Sequence, residues 1–204
     1  MLLANLITLA RLPVLLAVLG FLFWAPPWPH GLVGTGLLVL LFLMDWTDGW
    51  VARRRGEVTA LGAVLDVALD RAVENILWIA FLKLDLVPFW VPVVFLLRSF
   101  VVDGIREVAA AQGRPGFTMM HTPLGRFLVA SRFMRALYGL AKGVTFASLF
   151  LYHSFTARHP FLGGPWSAVN TCLIWFTVAL CLLRGLPVVL DGRLYFRRNT
   201  STPS

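Results

Sequence analysis

The feature that most constrains this chain is its succession of long apolar runs. Candidate spans run from about Leu6 to Trp24, Leu32 to Ala52, Ala60 to Leu82, Pro88 to Ala110, Phe127 to Tyr152 and Ala168 to Leu186. A run of roughly 20 apolar residues is long enough to cross the hydrocarbon core of a bilayer as a helix. Inside lipid every backbone polar group must be satisfied within the segment, so such runs must be helical. Pro13 falls within the first run, and a membrane helix tolerates it. The expected fold is therefore all-α: one polytopic domain over residues 1–204, six transmembrane helices, and a disordered tail over 199–204.

The placement of charge gives an orientation. Charged residues make up only 14% of the chain against 58% apolar, yet the formal net charge is +8. The connections after the second and fourth runs carry Arg53, Arg54, Arg55, Arg114 and Arg126, and the tail adds Arg193, Arg197 and Arg198. The connections after the first, third and fifth runs carry little beyond His30, Lys83, Arg158 and His159. Basic loops face the cytoplasm, so both termini and the loop Arg53 to Gly56 are expected there. Because the charges sit in short loops between apolar runs, they fit membrane topology and an anionic substrate rather than nucleic acid. A retained first helix, not a cleaved leader, is expected, since Asn5 and Thr8 precede Arg11 and many further apolar runs follow. Cys172 and Cys181 lie nine apart in one apolar segment and are expected to be packing residues.

Acidic residues in membrane helices need a reason. Asp45 and Asp48 are three apart and share a helical face, as do Asp66 and Asp70, four apart. The two helices are joined by a short connection, so the two carboxylate faces can meet near the cytoplasmic boundary. Each aspartate would cost roughly 2.5–3.5 kcal/mol at a helix centre, and less near the interface. A divalent cation with oxygen ligands removes both the burial cost and the mutual repulsion. Ion pairs to neighbouring arginines are the alternative. Gly49 and Gly62 lie among these aspartates, where a missing side chain admits a bulky ligand or lets helices pack closely.

The stretch Asp45-Trp46-Thr47-Asp48-Gly49-Trp50-Val51-Ala52-Arg53, followed by Gly62, Asp66 and Asp70, resembles the signature D-x2-D-G-x2-A-R-x8-G-x3-D-x3-D of the CDP-alcohol phosphatidyltransferases. Every fixed position is present at its spacing. The resemblance implies six membrane helices and transfer of a phosphatidyl group from CDP-diacylglycerol to an alcohol. It implies Asp45, Asp48 and Asp66 as ligands for Mg²⁺ or Mn²⁺, with Asp70 as the base and a further ligand; one or two ions are open, and four carboxylates fit two better. It implies Gly49, Ala52, Arg53 and Gly62 in the CDP pocket. Asn5, Thr8 and Arg11 resemble the amino-terminal N-x-x-T-x-x-R pattern of bacterial members, placed near the nucleotide. A homodimer in the bacterial cytoplasmic (inner) membrane, its active site facing the cytoplasm, is implied in the same way.

Arg98, Gly104-Ile105-Arg106-Glu107 and Ala109-Ala110-Ala111-Gln112-Gly113 resemble the fourth helix of the phosphatidylglycerophosphate synthase branch. Glycerol-3-phosphate is then the implied acceptor, its phosphate met by Arg106, Arg126, Arg132 and Arg135. That branch usually has Asp-Lys where this chain has Asp70-Arg71, and Gly-Lys where it has Gly125-Arg126. Arg98, deeper in its span, is expected to pair with Asp103 or a motif carboxylate, or to meet substrate. Inositol phosphate, serine or phosphatidylglycerol are alternative acceptors. A transporter or a non-catalytic scaffold are the alternatives of another class.

Overall fold

The computed structural model describes residues 3–24, 29–55, 59–111, 125–156, 159, 161 and 163–198. The expected tail over 199–204, the breaker-rich segment around Gly113 to Pro123 with His121, and Gly56 lie outside them. Among the described residues the fold is all-α. The long helices are α1 (Leu3–Phe23), α2 (His30–Arg55), α3 (Ala60–Lys83), α4 (Trp90–Ala111), α5 (Arg132–Thr156) and α6 (Gly163–Arg198), with a π-helical segment at Arg126–Ala130 before α5. Of the described helices, three contain stretches long and apolar enough to cross a membrane by composition alone: Leu6–Phe23, His30–Thr47 and Gly163–Asp191. Charged side chains within α3, α4 and α5 lower their hydropathy, so length and composition alone do not mark them as spans.

The chain divides into two compact units interleaved in sequence. The first comprises Met1–Pro88 and Gly143–Cys172, the second Phe89–Lys142 and Leu173–Ser204. In the first unit α1 packs on both α2 and α3. Its core joins Leu15, Val18 and Leu22 of α1 to Leu38 and Leu41 of α2, Leu77, Trp78 and Phe81 of α3, and Phe146, Leu149 and Phe150 of α5. Phe146 is the hub, edge-on to Trp78 at 4.6 Å between ring centres and stacked on Phe81 at 5.8 Å, spacings at which aromatic pairs add to simple burial. A Cβ at Gly31 would collide with Ser154, and one at Gly34 with the Phe150 ring. Absent side chains thus set the approach of α2 to α5, the usual device where helices associate by close packing in lipid.

The outward face of the first unit also carries large apolar side chains. In the first unit Leu16, Val39, Leu43, Val64 and Ile79 are exposed. In water a surface of this kind would be an aggregation site; a helix apolar all round fits a hydrocarbon surround. Trp24 and Trp90, at helix ends, are exposed, whereas Trp78 is buried. Trp166 donates from Nε1 to Ser148 Oγ at 3.1 Å. Tryptophan thus serves both at helix ends and in packing. Cys172 is exposed, Cys181 is buried, and neither is in a disulfide.

Two helix boundaries differ from expectation. The fifth run is not one helix: Ser131 is extended (φ −59, ψ 134) and separates the π-helical segment from α5. Its hydroxyl accepts from the Met134 amide at 3.4 Å, so a serine capping geometry restarts the helix inside an apolar run. The last helix continues past Leu186 and through Pro187 to Arg198; proline costs a helix one hydrogen bond but does not end this one. In the turn before α4, Asp85 takes φ 55, a left-handed conformation that a short polar side chain tolerates.

In the second unit Val102, Ile105 and Ala109 of α4 close on Val129 and on Val188 of α6. Arg184, buried on α6, donates from Nη1 to the Met134 carbonyl at 3.1 Å and from Nη2 to the Val129 carbonyl at 3.4 Å. The break at Ser131 interrupts the regular helical ladder around Val129, and a buried carbonyl needs a donor. Arg184 supplies it.

Candidate functional site

The carboxylate site is built in the first unit from three helices. Thr59 caps α3: it is extended, and its hydroxyl accepts from the Gly62 amide at 3.0 Å. A threonine at this position satisfies one of the free amides of the first turn. The start of α3 is thereby fixed, and Asp66 and Asp70 follow on successive turns of one face. Gly62 therefore has a structural role at its amide, beside the pocket role implied for it.

From α2 comes Asp45, and from α1 comes Arg11. The Arg11 Nη1 lies 2.7 Å from Asp45 Oδ1 and 3.7 Å from Asp66 Oδ1, while Nη2 lies 3.8 Å from Asp70 Oδ1. Three expected site carboxylates thus converge on one guanidinium. Arg11 is 1% exposed, against 39% for Asp45, 47% for Asp66 and 41% for Asp70. The cation is at the bottom and the carboxylates face outward from it. The contact with Asp45 is short, yet neither Nη1 nor Nε makes an aligned hydrogen bond. Distance and alignment disagree here. The distance settles that the pair is electrostatic, and the alignment excludes a fork-like bidentate lock.

Thr8, one turn before Arg11, is buried. Asn5 lies on α1, and Asp48, Gly49, Ala52 and Arg53 lie on α2, but their side chains lie outside the described residues. Among the described residues no three acidic, histidine or cysteine side chains stand at metal-ligand spacing. The donor type nonetheless suits Mg²⁺ or Mn²⁺: hard carboxylate oxygens, reachable from outside, already gathered around a positive charge. Mg²⁺ is commonly held by one or two carboxylates with waters and substrate phosphates rather than by a full protein cage.

The arginines singled out for the acceptor belong to the second unit. Arg106 stands 3.9 Å from Asp103, one turn away on α4. Arg132 and Arg135 are exposed on the first turn of α5. Arg126 opens the π-helical segment, its side chain outside the described residues. The Arg98 guanidinium lies over the Tyr138 ring at 5.7 Å, and its stem lies against Gly185, where a Cβ would come within 3.1 Å of it. Lys142 and Arg184 face the same ring at 4.6 and 5.2 Å. An aromatic face attracts cations within about 6 Å, and Tyr138 gathers three.

Sequence reasoning placed Arg11 beside a nucleotide and missed its carboxylate partners. The signal was available, because an arginine followed by an apolar run must find a partner in the bundle. Arg184 was missed for another reason: its partners are backbone carbonyls at a helix break that the sequence did not reveal.

A model of the family described as CDP-alcohol phosphatidyltransferase matches residues 1–183. The chain is 33% identical over 124 residues to the CDP-diacylglycerol--glycerol-3-phosphate 3-phosphatidyltransferase of Bacillus subtilis, covering 54% of this chain and 63% of that one. The proteins of the same name in Rickettsia typhi and Rickettsia prowazekii are each 32% identical over 108 residues, 53% of this chain and 60% and 59% of theirs. The chain spans about three fifths of the length of these relatives. The family match runs through the whole aspartate signature, of which Asp45, Asp66 and Asp70 meet around Arg11: the chain belongs to the CDP-alcohol phosphatidyltransferase family.

Proposed function

We propose that the protein transfers a phosphatidyl group from CDP-diacylglycerol to the hydroxyl of glycerol-3-phosphate, giving phosphatidylglycerophosphate and CMP. The observation that carries this reading is the convergence of Asp45, Asp66 and Asp70, from two helices, on one buried cation. Family membership supports the phosphatidyl transfer, and the names of the Bacillus and Rickettsia relatives support the acceptor.

Asp45, Asp48, Asp66 and Asp70 would hold Mg²⁺ or Mn²⁺, as two ions. When bound, the cations supply positive charge against the pyrophosphate oxygens and the departing CMP. Asp70 takes the proton of the acceptor hydroxyl as general base. The hydroxyl oxygen forms its bond to the phosphorus that carries diacylglycerol, and the bond from that phosphorus to the CMP oxygen breaks. Asn5, Thr8, Gly49, Ala52, Arg53 and Gly62 line the CDP moiety, while Arg11, buried under the carboxylates, acts on that pocket through them. Arg106, Arg126, Arg132 and Arg135 meet the acceptor phosphate, where guanidinium suits paired hydrogen bonds to its oxygens. The acyl tails stay in lipid, which accounts for water-soluble headgroup chemistry in a membrane fold.

The setting that fits this reading is a bacterial inner membrane, with six spans forming one domain, both termini in the cytoplasm and a homodimeric assembly. The test is purified protein with CDP-diacylglycerol, Mg²⁺ and a panel of glycerol-3-phosphate, inositol phosphate, serine and phosphatidylglycerol, with products identified by mass. Phosphatidylglycerophosphate as the main product is the expected result. Turnover of another alcohol alone would refute the acceptor and leave the reaction class standing.

A further inference from the structure

We propose that Arg11 is the built-in counter-ion of the carboxylate cluster and sets how tightly the cluster takes up a divalent cation, an inference that rests on the metal-binding reading above. Arg11 lies in the apolar stretch Leu6–Phe23 and is 1% exposed. A guanidinium cannot shed its proton in a protein, so its charge is permanent, and a buried charge is retained only where it is paired. Its partners are the same oxygens that would ligate metal: Asp45 at 2.7 Å, Asp66 at 3.7 Å and Asp70 at 3.8 Å.

Two features make this pairing exchangeable rather than fixed. The Arg11 Nε and Nη1 atoms make no aligned hydrogen bond, so attraction between charges, not directional bonding, holds the guanidinium. The three carboxylates are each more than a third exposed while Arg11 is sealed beneath them, so an incoming cation meets the oxygens from the opposite side. Among the described residues one guanidinium faces three carboxylates, and those oxygens attract a divalent ion to their open side. Arg11 and the metal then share one set of oxygens, and the coupling between them is reciprocal: the metal loosens Arg11 from Asp66 and Asp70, and Arg11 weakens the metal. Arg11 is on this account a positioning residue. It keeps the aspartates together when no metal is bound and keeps metal binding reversible.

The experiment uses the full chain in nanodiscs of zwitterionic lipid, without nucleotide, and Mn²⁺ alone as probe. Free Mn²⁺ is read from its aqueous electron paramagnetic resonance signal, and thermal unfolding is followed in parallel. Removing the charge in Arg11→Gln should tighten Mn²⁺ binding by roughly tenfold, toward the low end of ordinary two-site coupling. Arg11→Lys, which keeps the charge, should stay within about threefold of wild type on the same scale. Arg11→Gln should lose thermal stability in chelator and regain it with Mn²⁺, because the metal replaces the missing charge. Equal or weaker Mn²⁺ binding by Arg11→Gln, or an equal stability loss with and without Mn²⁺, would overturn the counter-ion role and leave the metal reading intact. An Arg11→Gln protein that stays unfolded in Mn²⁺ would do the same. No Mn²⁺ bound by either wild type or variant would overturn both readings.

Discussion

Replacing Asp45 by asparagine keeps its size and removes the charge nearest to Arg11. Breaking a buried ion pair from one side typically costs roughly 3–5 kcal/mol. Here that figure needs discounting, since Asp45 is 39% exposed and exposed partners are screened. Asp66 and Asp70 also remain within 4 Å of the guanidinium, at 3.7 and 3.8 Å, so the charge is not abandoned. A loss of about 1–2 kcal/mol remains. The ranking among the three aspartates is firmer than the absolute value. Coulomb energy falls as the inverse of distance, so the 3.7 Å pair should be worth about 0.7 of the 2.7 Å pair whatever the dielectric. In chelator, Asp45→Asn should therefore destabilise more than Asp66→Asn or Asp70→Asn, which should be close to each other. The assay is thermal unfolding of the three variants in one detergent, followed by a double-mutant cycle with Arg11→Gln to isolate the pair. An Asp66→Asn or Asp70→Asn loss equal to or larger than that of Asp45→Asn would refute the pairing order, and with it Asp45 as the strongest single partner of Arg11.

Asp70→Asn should lower kcat by about 10²- to 10⁴-fold, the range for loss of a general base, while nucleotide binding by calorimetry stays largely intact. Arg126→Ala should raise the KM for glycerol-3-phosphate by about one to two powers of ten, from a lost charge-assisted bond worth roughly 1.5–3 kcal/mol, and leave the CDP-diacylglycerol KM nearly unchanged in a two-substrate kinetic matrix. Gly34→Leu should lower the unfolding temperature, by an overpacking penalty of about 1–3 kcal/mol or more, because even a Cβ there meets the Phe150 ring; unaltered unfolding would count against the close approach of α2 and α5.

How much of this was legible in the sequence depends on the range of the interaction. The helices over the apolar runs were, because hydrocarbon leaves the backbone no alternative to helix. The meeting of Asp45, Asp66 and Asp70 was legible too, since helical spacing and a short connection dictate it. Asp48 is the exception in that set, its side chain lying outside the described residues. What escaped depends on contacts between segments far apart in the chain. Arg11 and Asp45 are separated by most of two helices, and only the packing of α1 on α2 joins them. The Arg184 bonds to Val129 and Met134 follow from a helix break at Ser131, where a local serine cap overrides an apolar pattern that reads as continuous. Arg98 was expected to pair with a carboxylate or to meet substrate; its place over Tyr138, shared with two other cations, was not foreseen, because it depends on the absent side chain at Gly185 that lets its stem lie against α6. Such a notch is visible only once the helices are paired.

The most direct measurement of the central claim follows CMP release and phosphatidyl product together, from CDP-diacylglycerol and glycerol-3-phosphate, for wild type and Asp48→Asn, with Mg²⁺ and then with excess chelator. Wild type with Mg²⁺ should give CMP and phosphatidylglycerophosphate in equal amounts, and both should be lost in chelator and in Asp48→Asn. Undiminished product in chelator, with bound metal shown to be absent, would contradict that claim.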